Sequence, residues 1–263
     1  MVSIVVINYN TFNTTCTCIS SVIEHTKAVQ YEIILVDNAS TERNPDDFLK
    51  TFPQIILIKS QENIGFSKGN NLAIASCSAE VILLLNSDTL LKNDSISICA
   101  HELISQTNFG AVTCKLEFPN GMIQHNCQSF PSPLKLVIEK LRIHKLLTKS
   151  VVGNYLQGFY WNYEKKGRPD WIWGTFFMFK REILAKMPQQ KLDDSYFMYV
   201  EDMQWCLDIR KAGFDIAYLP QTTIIHLHGG SASKPNTQLQ KNYDDFLNNN
   251  YSSFSSRFLK FFS

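Results

Sequence analysis

VILLLNSD, residues 81–88, decides how this chain is built. Val81 to Leu85 are five consecutive apolar residues, a run that reads as a buried strand, and Asn86-Ser87-Asp88 closes it with turn-forming residues. Working back from it, Ser67 to Ser76 reads as a helix and Ile55 to Lys59 as a strand. EIILVD (Glu32 to Asp37) is a second strand, Thr14 to His25 a helix, and SIVVIN (Ser3 to Asn8) the first strand. Strands alternating with longer mixed segments predict a parallel sheet covered by helices. Such sheets bind ligands beyond the carboxyl ends of their strands, so Asp37 and Asp88 are expected on one edge.

Working forward, the texture changes after Cys114. Asn120-Gly121 signals a turn and Phe130-Pro131-Ser132-Pro133 breaks the chain. Leu134 to Val152 is apolar and basic together, with Lys135, Lys140, Arg142, Lys145 and Lys149 against Glu139. Trp171 to Lys180 reads as a strand and Glu201 to Ala212 as a helix stopped by Gly213. Phe214 to Leu219 and Thr222 to His228 read as two late strands. With no repeat and no low-complexity linker, both halves are expected to share one sheet.

The 263 residues, 44% hydrophobic and 19% charged, can bury a sizeable core, which excludes a disordered chain. Lys plus Arg (25) nearly balance Asp plus Glu (24), so no general nucleic-acid binder is expected. Seven cysteines, Cys16, Cys18, Cys77, Cys99, Cys114, Cys127 and Cys206, form no C-x-x-C pair and read as free thiols in a reducing cytosol. The N-terminus does not resemble a signal peptide, and no apolar run reaches the roughly 18 to 20 residues of a spanning helix.

Several groups of residues could carry chemistry. Asn86-Ser87-Asp88 at a strand end suits a hard divalent cation sharing its shell with phosphate oxygens, or a plain Asx turn. Asp37-Asn38-Ala39-Ser40 could accept hydrogen bonds from a nucleobase or ribose, or cap the next helix. Glu62 to Asn71 (ENIGFSKGNN) places Gly65, Phe66, Gly69 and Asn70 at a loop-to-helix junction suited to a sugar or phosphate. The sequence lacks both G-x-G-x-x-G and the P-loop pattern, so dehydrogenase and P-loop functions are excluded at motif level. Glu201-Asp202 follows an aromatic-rich segment. It could complement a helix dipole, or supply a general base whose pKa is raised by dry surroundings. His226 and His228 would point to opposite faces of a strand, so at most one can be a ligand.

The order of these signals is more specific than any one of them. VSIVVINYN, LVDNAS, NIGFSKGNN, LLLNSD, WGTFFMFKRE, FMYVEDMQWCLDIRKAG and IIHLHGGS together resemble family 2 glycosyltransferases of GT-A fold, particularly the rhamnosyltransferase-like branch. NGMIQHNCQSFPS (Asn120 to Ser132) is similar to the D-G-x-x-Q…F-P stretch of that branch. The resemblance spans residues 2 to 231. It implies a GT-A unit, 1–231, with a nucleotide-sugar half (1–114) and an acceptor half (115–231); residues 232–263, beyond the resemblance, are expected to form a helical tail.

By the same resemblance, Asp37 meets the nucleobase, Asn38 belongs to the nucleotide-sugar site, and Asn8, Tyr9 and Asn10 form the first nucleotide-contacting loop. Gly65, Phe66, Gly69 and Asn70 also contact the nucleotide sugar, with Asn86 and Asp88 at the metal motif. Asp202 is the base beside Glu201. Trp173, Gly174, Thr175, Glu201 and Arg210 line the acceptor, and His226 is preferred over His228 as a second contact to metal or diphosphate. Asn86 departs from the first aspartate of D-x-D, leaving one carboxylate, and Ala73 stands where many relatives carry glycine.

The implied activity is inverting transfer of a sugar, first L-rhamnose from dTDP-rhamnose, with Mg²⁺ or Mn²⁺. The acceptor is a hydroxyl of a bacterial surface glycan carried on a polyprenyl diphosphate, at the cytoplasmic face of the membrane. Two rivals are a nucleotidyltransferase, which needs an early basic phosphate-gripping loop absent before Lys27, and a sugar-nucleotide or glycan-binding module without turnover. Residues 134–152 read either as a lipid-facing helix or as an ordinary packed one, and Tyr251, Phe254, Phe258 and Phe262 as a lipid or dimer contact.

Overall fold

The structure, a computed structural model, describes residues 1–227 and 237–262. The N-terminal half runs β1 (Val2–Asn8), α1 (Phe12–His25), β2 (Tyr31–Asp37), α2 (Asp47–Thr51), β3 (Ile56–Lys59), α3 (Gly65–Ile74) and β4 (Val81–Asn86). The expected alternation is present in full. β1 pairs in parallel with β2 and β4, and β2 with β3, so Asn8, Asp37 and Asn86 end side by side. Neighbouring strands lie about 4.8 Å apart.

Beyond β4 come β5 (Thr89–Leu91), α4 (Ser95–Ser105), β6 (Phe109–Glu117), β7 (Ile123–Gln124), β8 (Cys127–Gln128), α5 (Pro133–Lys140) and α6 (Lys149–Leu156). The chain continues with β9 (Trp171–Ile172), β10 (Phe176–Lys180), α7 (Glu201–Lys211), β11 (Asp215–His226), α8 (Thr237–Asn250) and α9 (Ser253–Phe262). The main sheet has the order β3-β2-β1-β4-β10-β6-β11-β5, with β7 on β6. β10 is antiparallel to both β4 and β6, so it hydrogen-bonds the two halves into one mixed sheet.

Three expectations are corrected. Trp171 to Lys180 is two strands, because β9 pairs with β8 in a separate small sheet while β10 joins β4. The late strands are one strand, β11, whose register shifts between Leu219 and Thr223, around Pro220. Proline has no N–H for the ladder, and a bulge absorbs the defect. His228 lies outside the described residues. Leu134 to Val152 is broken rather than one helix: α5 ends at Lys140, and Arg142, in a left-handed conformation (φ 56°), leads into a 3-10 turn, Ile143–Leu146.

Side chains on the two faces of the sheet form two cores, one holding Ile4, Val6, Leu83 and Phe176, the other Val5, Ile34, Leu84, Phe177 and Trp205. Each fully buried side chain of this size stabilises by roughly 1.5–3 kcal/mol. A third cluster packs Phe246, Leu247 and Leu259 of α8 and α9 on Tyr196, Val200 and Met203, so the tail helices cover the entry to α7. The seven cysteines are unpaired. No helix among the described residues is long and apolar enough to cross a membrane.

Candidate active site

The carboxyl edge of β1 and β2 is a closed hydrogen-bond network. The Asn8 amide donates to Asp37 Oδ1 (2.7 Å) and Ser40 Oγ (2.9 Å), and the Ser40 N–H donates to Asp37 Oδ2 (3.1 Å). The Thr15 hydroxyl donates to Asn8 Oδ1. Asn10, at φ 53°, accepts from the N–H groups of Thr41 and Glu42 and ties the first loop to the second. Tyr9 projects into solvent from this loop.

Asn38 reaches the next loop. Its amide donates to Asn63 Oδ1 and its Oδ1 accepts from the Ile64 N–H. Gly65 follows at φ 81°, and a Cβ there would lie 2.4 Å from the Phe197 carbonyl oxygen, so only glycine fits. That same carbonyl accepts from the Phe66 N–H at 2.8 Å. Gly69 packs α3 on Ile7, while the buried Asn70 donates to the Phe66 carbonyl, so both shape the helix that carries the loop.

Asp88 lies across the edge from His226, with Oδ1 3.3 Å from Nε2. Gln124 on β7 fixes this histidine. Its Nε2 donates to the His226 carbonyl (2.8 Å), which leaves its Oε1 facing His226 Nδ1 at 2.7 Å. Nδ1 must therefore carry a proton, and Nε2 is turned toward Asp88. The Leu227 N–H donates to the Asp88 carbonyl and holds the two strand ends together. This pair suits a cation that keeps most of its shell for water and phosphate oxygens. No group of three or more His, Cys, Asp or Glu ligands exists among the described residues.

Asp202 opens α7. Its Oδ2 accepts from the Gly174 N–H (3.0 Å) and its Oδ1 from the Met203 N–H (2.8 Å). Burial raises its pKa above the usual carboxylate range, and these N–H bonds oppose the rise. Glu201 is raised further, by burial first and then by the charge of Asp202, and its Oε2 is buried without a partner. The two residues before them are under strain, with Tyr199 at φ 71° and Val200 at φ 78°. A β-branched residue in this region is a genuine outlier. The Asn242 amide of α8 donates to the carbonyls of Met198 (2.8 Å) and Tyr199 (3.0 Å) and holds the turn in place.

The end of β4 and the start of α7 meet through Trp173, Gly174 and Thr175. The Thr175 carbonyl accepts from the Asn86 N–H (3.0 Å), and Gly174 stands against Phe66 and Asp202. One contact network thus joins Asp37, Asn86, Gly174 and Asp202, with the Asp88–His226 pair at the end of the same edge. Arg210 is not brought there. Two helical turns beyond Asp202, it donates to the carbonyls of Pro169 (2.8 Å) and Asp170 (3.2 Å). Asp202, Cys206 and Arg210 form one stripe along α7 that meets Gly174, Ile172 and Asp170 in turn. Arg210 therefore positions the strand that Asp202 reads.

Residues 3–187 match Glycosyl transferase family 2. The chain belongs to this family. Among its relatives, the N-acetylglucosaminyl-diphospho-decaprenol L-rhamnosyltransferase of Mycobacterium tuberculosis is 21% identical over 213 residues, covering 74% of this family 2 chain and 66% of that protein. The O-antigen biosynthesis protein RfbC of Myxococcus xanthus is 32% identical over 114 residues, 41% of this chain and 9% of that protein. The chain thus spans less than two thirds of these relatives' length. GalNAc-T7 with UDP, GalNAc and Mn²⁺ superposes with a TM-score of 0.65 at 14% identity, covering 93% of this chain and 48% of that one. The mannosyltransferase PcManGT from Pyrobaculum calidifontis with GDP-Man and Mn²⁺ gives 0.58 at 16% identity, covering 94% of this chain and 60% of that one. These likenesses establish the GT-A fold.

Two contributors escape a reading of motifs. Gln124 is the glutamine of the NGMIQ stretch, so its signal is in the sequence, but its bond to His226 spans 102 residues. Asn242 lies in a polar run of the tail, where no pattern singles it out.

Proposed function

We propose that this protein is an inverting glycosyltransferase that moves a sugar, first L-rhamnose from dTDP-rhamnose, onto a hydroxyl of a growing glycan. The observation that carries the reading is the Asp202 carboxylate, anchored on the Gly174 N–H at the strand edge that also bears Asp37 and the Asp88–His226 pair.

Asp202 takes the proton of the acceptor hydroxyl as its oxygen bonds to the anomeric carbon. The bond from that carbon to the diphosphate breaks on the opposite face, and the nucleoside diphosphate leaves. The raised pKa of Asp202 brings the base closer to neutral pH, and such help is worth about 10² to 10⁴-fold. Asp88 and His226 Nε2 would hold a divalent cation, Mg²⁺ or Mn²⁺, which when bound offsets negative charge on the diphosphate. The Mn²⁺ of both structural neighbours supports that choice. Asp37 and Asn8, buried and mutually bonded, offer a fixed rim for the nucleoside. Arg210 serves the acceptor indirectly, by fixing the segment that carries Gly174.

A polyprenyl diphosphate acceptor, and with it work at the cytoplasmic membrane face in surface-polysaccharide assembly, draws support from the decaprenol named for the mycobacterial relative. The test is nucleoside diphosphate release from dTDP-rhamnose, UDP-hexoses and GDP-mannose, with the product anomer assigned by NMR. Release of dTDP with inversion is expected. Release from a UDP or GDP donor alone would replace the donor assignment, and retention of configuration would remove Asp202 as a base in single displacement.

A further inference from the structure

Two segments far apart in the sequence make one surface of the fold. α5 packs on α9, and Leu136 and Leu259 meet in the third buried cluster. α9 turns Ser256 and Leu259 inward and leaves Phe254 and Phe261 outside, 77% and 81% exposed. The rings of Phe254, Phe258 and Phe262 follow one another at 6.4 and 5.0 Å along the helix. On the other segment Leu141 and Leu146 are 68% and 84% exposed, and Phe159 stands at the mouth of a cavity of about 310 Å³ between α5, α6 and α9. Trp171 and Met203, the latter next to Asp202 in the chain, also line that cavity.

Cations are interspersed with the apolar side chains along both segments. Lys140, Arg142, Lys145, Lys149 and Arg257 have no ion pair among the described residues, and Glu139 is the sole acid in 133–156 and 253–262. Large exposed apolar patches mark interaction sites, and apolar side chains with interspersed lysine and arginine match the headgroup and acyl boundary of an anionic bilayer. A second copy of the chain would cover the phenylalanines but would bring the same cations face to face.

We propose that the α5–α6 segment and α9 form a single docking surface for an anionic lipid bilayer, with the cavity between them opening from that surface toward Asp202. The inference extends the reading of a membrane-borne acceptor, and its test needs no sugar nucleotide, so either can fail alone. The full chain is sedimented with vesicles of phosphatidylcholine, or of phosphatidylcholine with about a third phosphatidylglycerol. Binding is expected to the anionic vesicles, falling with salt, and at least about tenfold weaker to the neutral ones. Phe254→Ser/Phe261→Ser and Lys140→Gln/Arg142→Gln/Lys145→Gln/Lys149→Gln should each lose about tenfold or more. Both should keep the wild-type thermal midpoint, since all six side chains are exposed. Absence of binding, equal binding to both vesicles, or variants that sediment like the wild type would overturn the proposal. So would a dimer in analytical ultracentrifugation that the phenylalanine variant dissolves.

Discussion

At the ends of β1 and β2 both oxygens of Asp37 and the whole amide of Asn8 have partners, whereas at the start of α7 two non-glycine residues sit at positive φ and Glu201 Oε2 is buried unpaired. The first region is relaxed. The second holds backbone strain of the order of 1–3 kcal/mol per residue, which persists only because its surroundings over-determine it. The Asn242 amide, on the 198 and 199 carbonyls, and the Phe66 N–H, on the 197 carbonyl, are those surroundings. The contrast suits the proposed division between a nucleotide rim held in its resting shape and a base-bearing carboxylate pair held in an uncomfortable one.

Removing the base side of the contrast should have the largest effect. Asp202→Asn is expected to lower kcat by at least about a hundredfold while nucleotide binding by calorimetry is unchanged. Equal losses in both would move Asp202 to the donor side. Asp88→Ala should abolish stimulation of turnover by added Mn²⁺ and weaken nucleoside diphosphate binding, and full activity in excess chelator would detach the Asp88–His226 pair from the chemistry. Asn242→Leu leaves two carbonyls of the strained turn without their donor. It should cost about 1–3 kcal/mol in urea unfolding and reduce kcat more than it raises the donor KM. A purely thermal effect with unchanged kcat would show that the strain has no bearing on turnover.

The smallest effect concerns protons. With Asp202 raised, the acid limb of kcat/KM should fall above the ordinary carboxylate pKa of about 4. Glu201 is raised as well, so the native chain holds its proton more tightly than the unfolded chain. Its contribution to stability is full below the unfolded pKa, about 4.3, and is lost as pH climbs through the raised value. The thermal midpoint of Glu201→Gln relative to wild type should therefore shift in favour of glutamine from about pH 5 to about pH 8. A pH-independent difference would mean that Glu201 is ionised and satisfied in solution.

Much of the fold was legible because the relaxed region is made of local signals. Val2–Asn8, Tyr31–Asp37 and Val81–Asn86 are continuous apolar runs ending in polar residues, and their carboxyl ends fall together once they pair in parallel. What escaped depends on distant partners. FGAVTCKLE is a central strand, yet its alternation of small and polar residues resembles no apolar run. WIWGTFFMFK appears continuous, but Gly174 is drawn to Asp202 and the pairing changes partner there. The strain at Val200 has no signature in FMYVED, because it is imposed by α3 and α8 and not by the turn's own residues. The conformation that prepares the carboxylates is thus the part written furthest from them.

β10 gives the molecule a mechanical character of its own. Because this strand is bonded to β4 on one side and β6 on the other, the N-terminal and C-terminal parts of the sheet have no seam along which to swing. Opening and shutting must be the business of surface loops, and heat should melt both sides in one calorimetric peak. Occupying the rim at Asp37 would then slow amide exchange as far away as Val112, through the ladder alone.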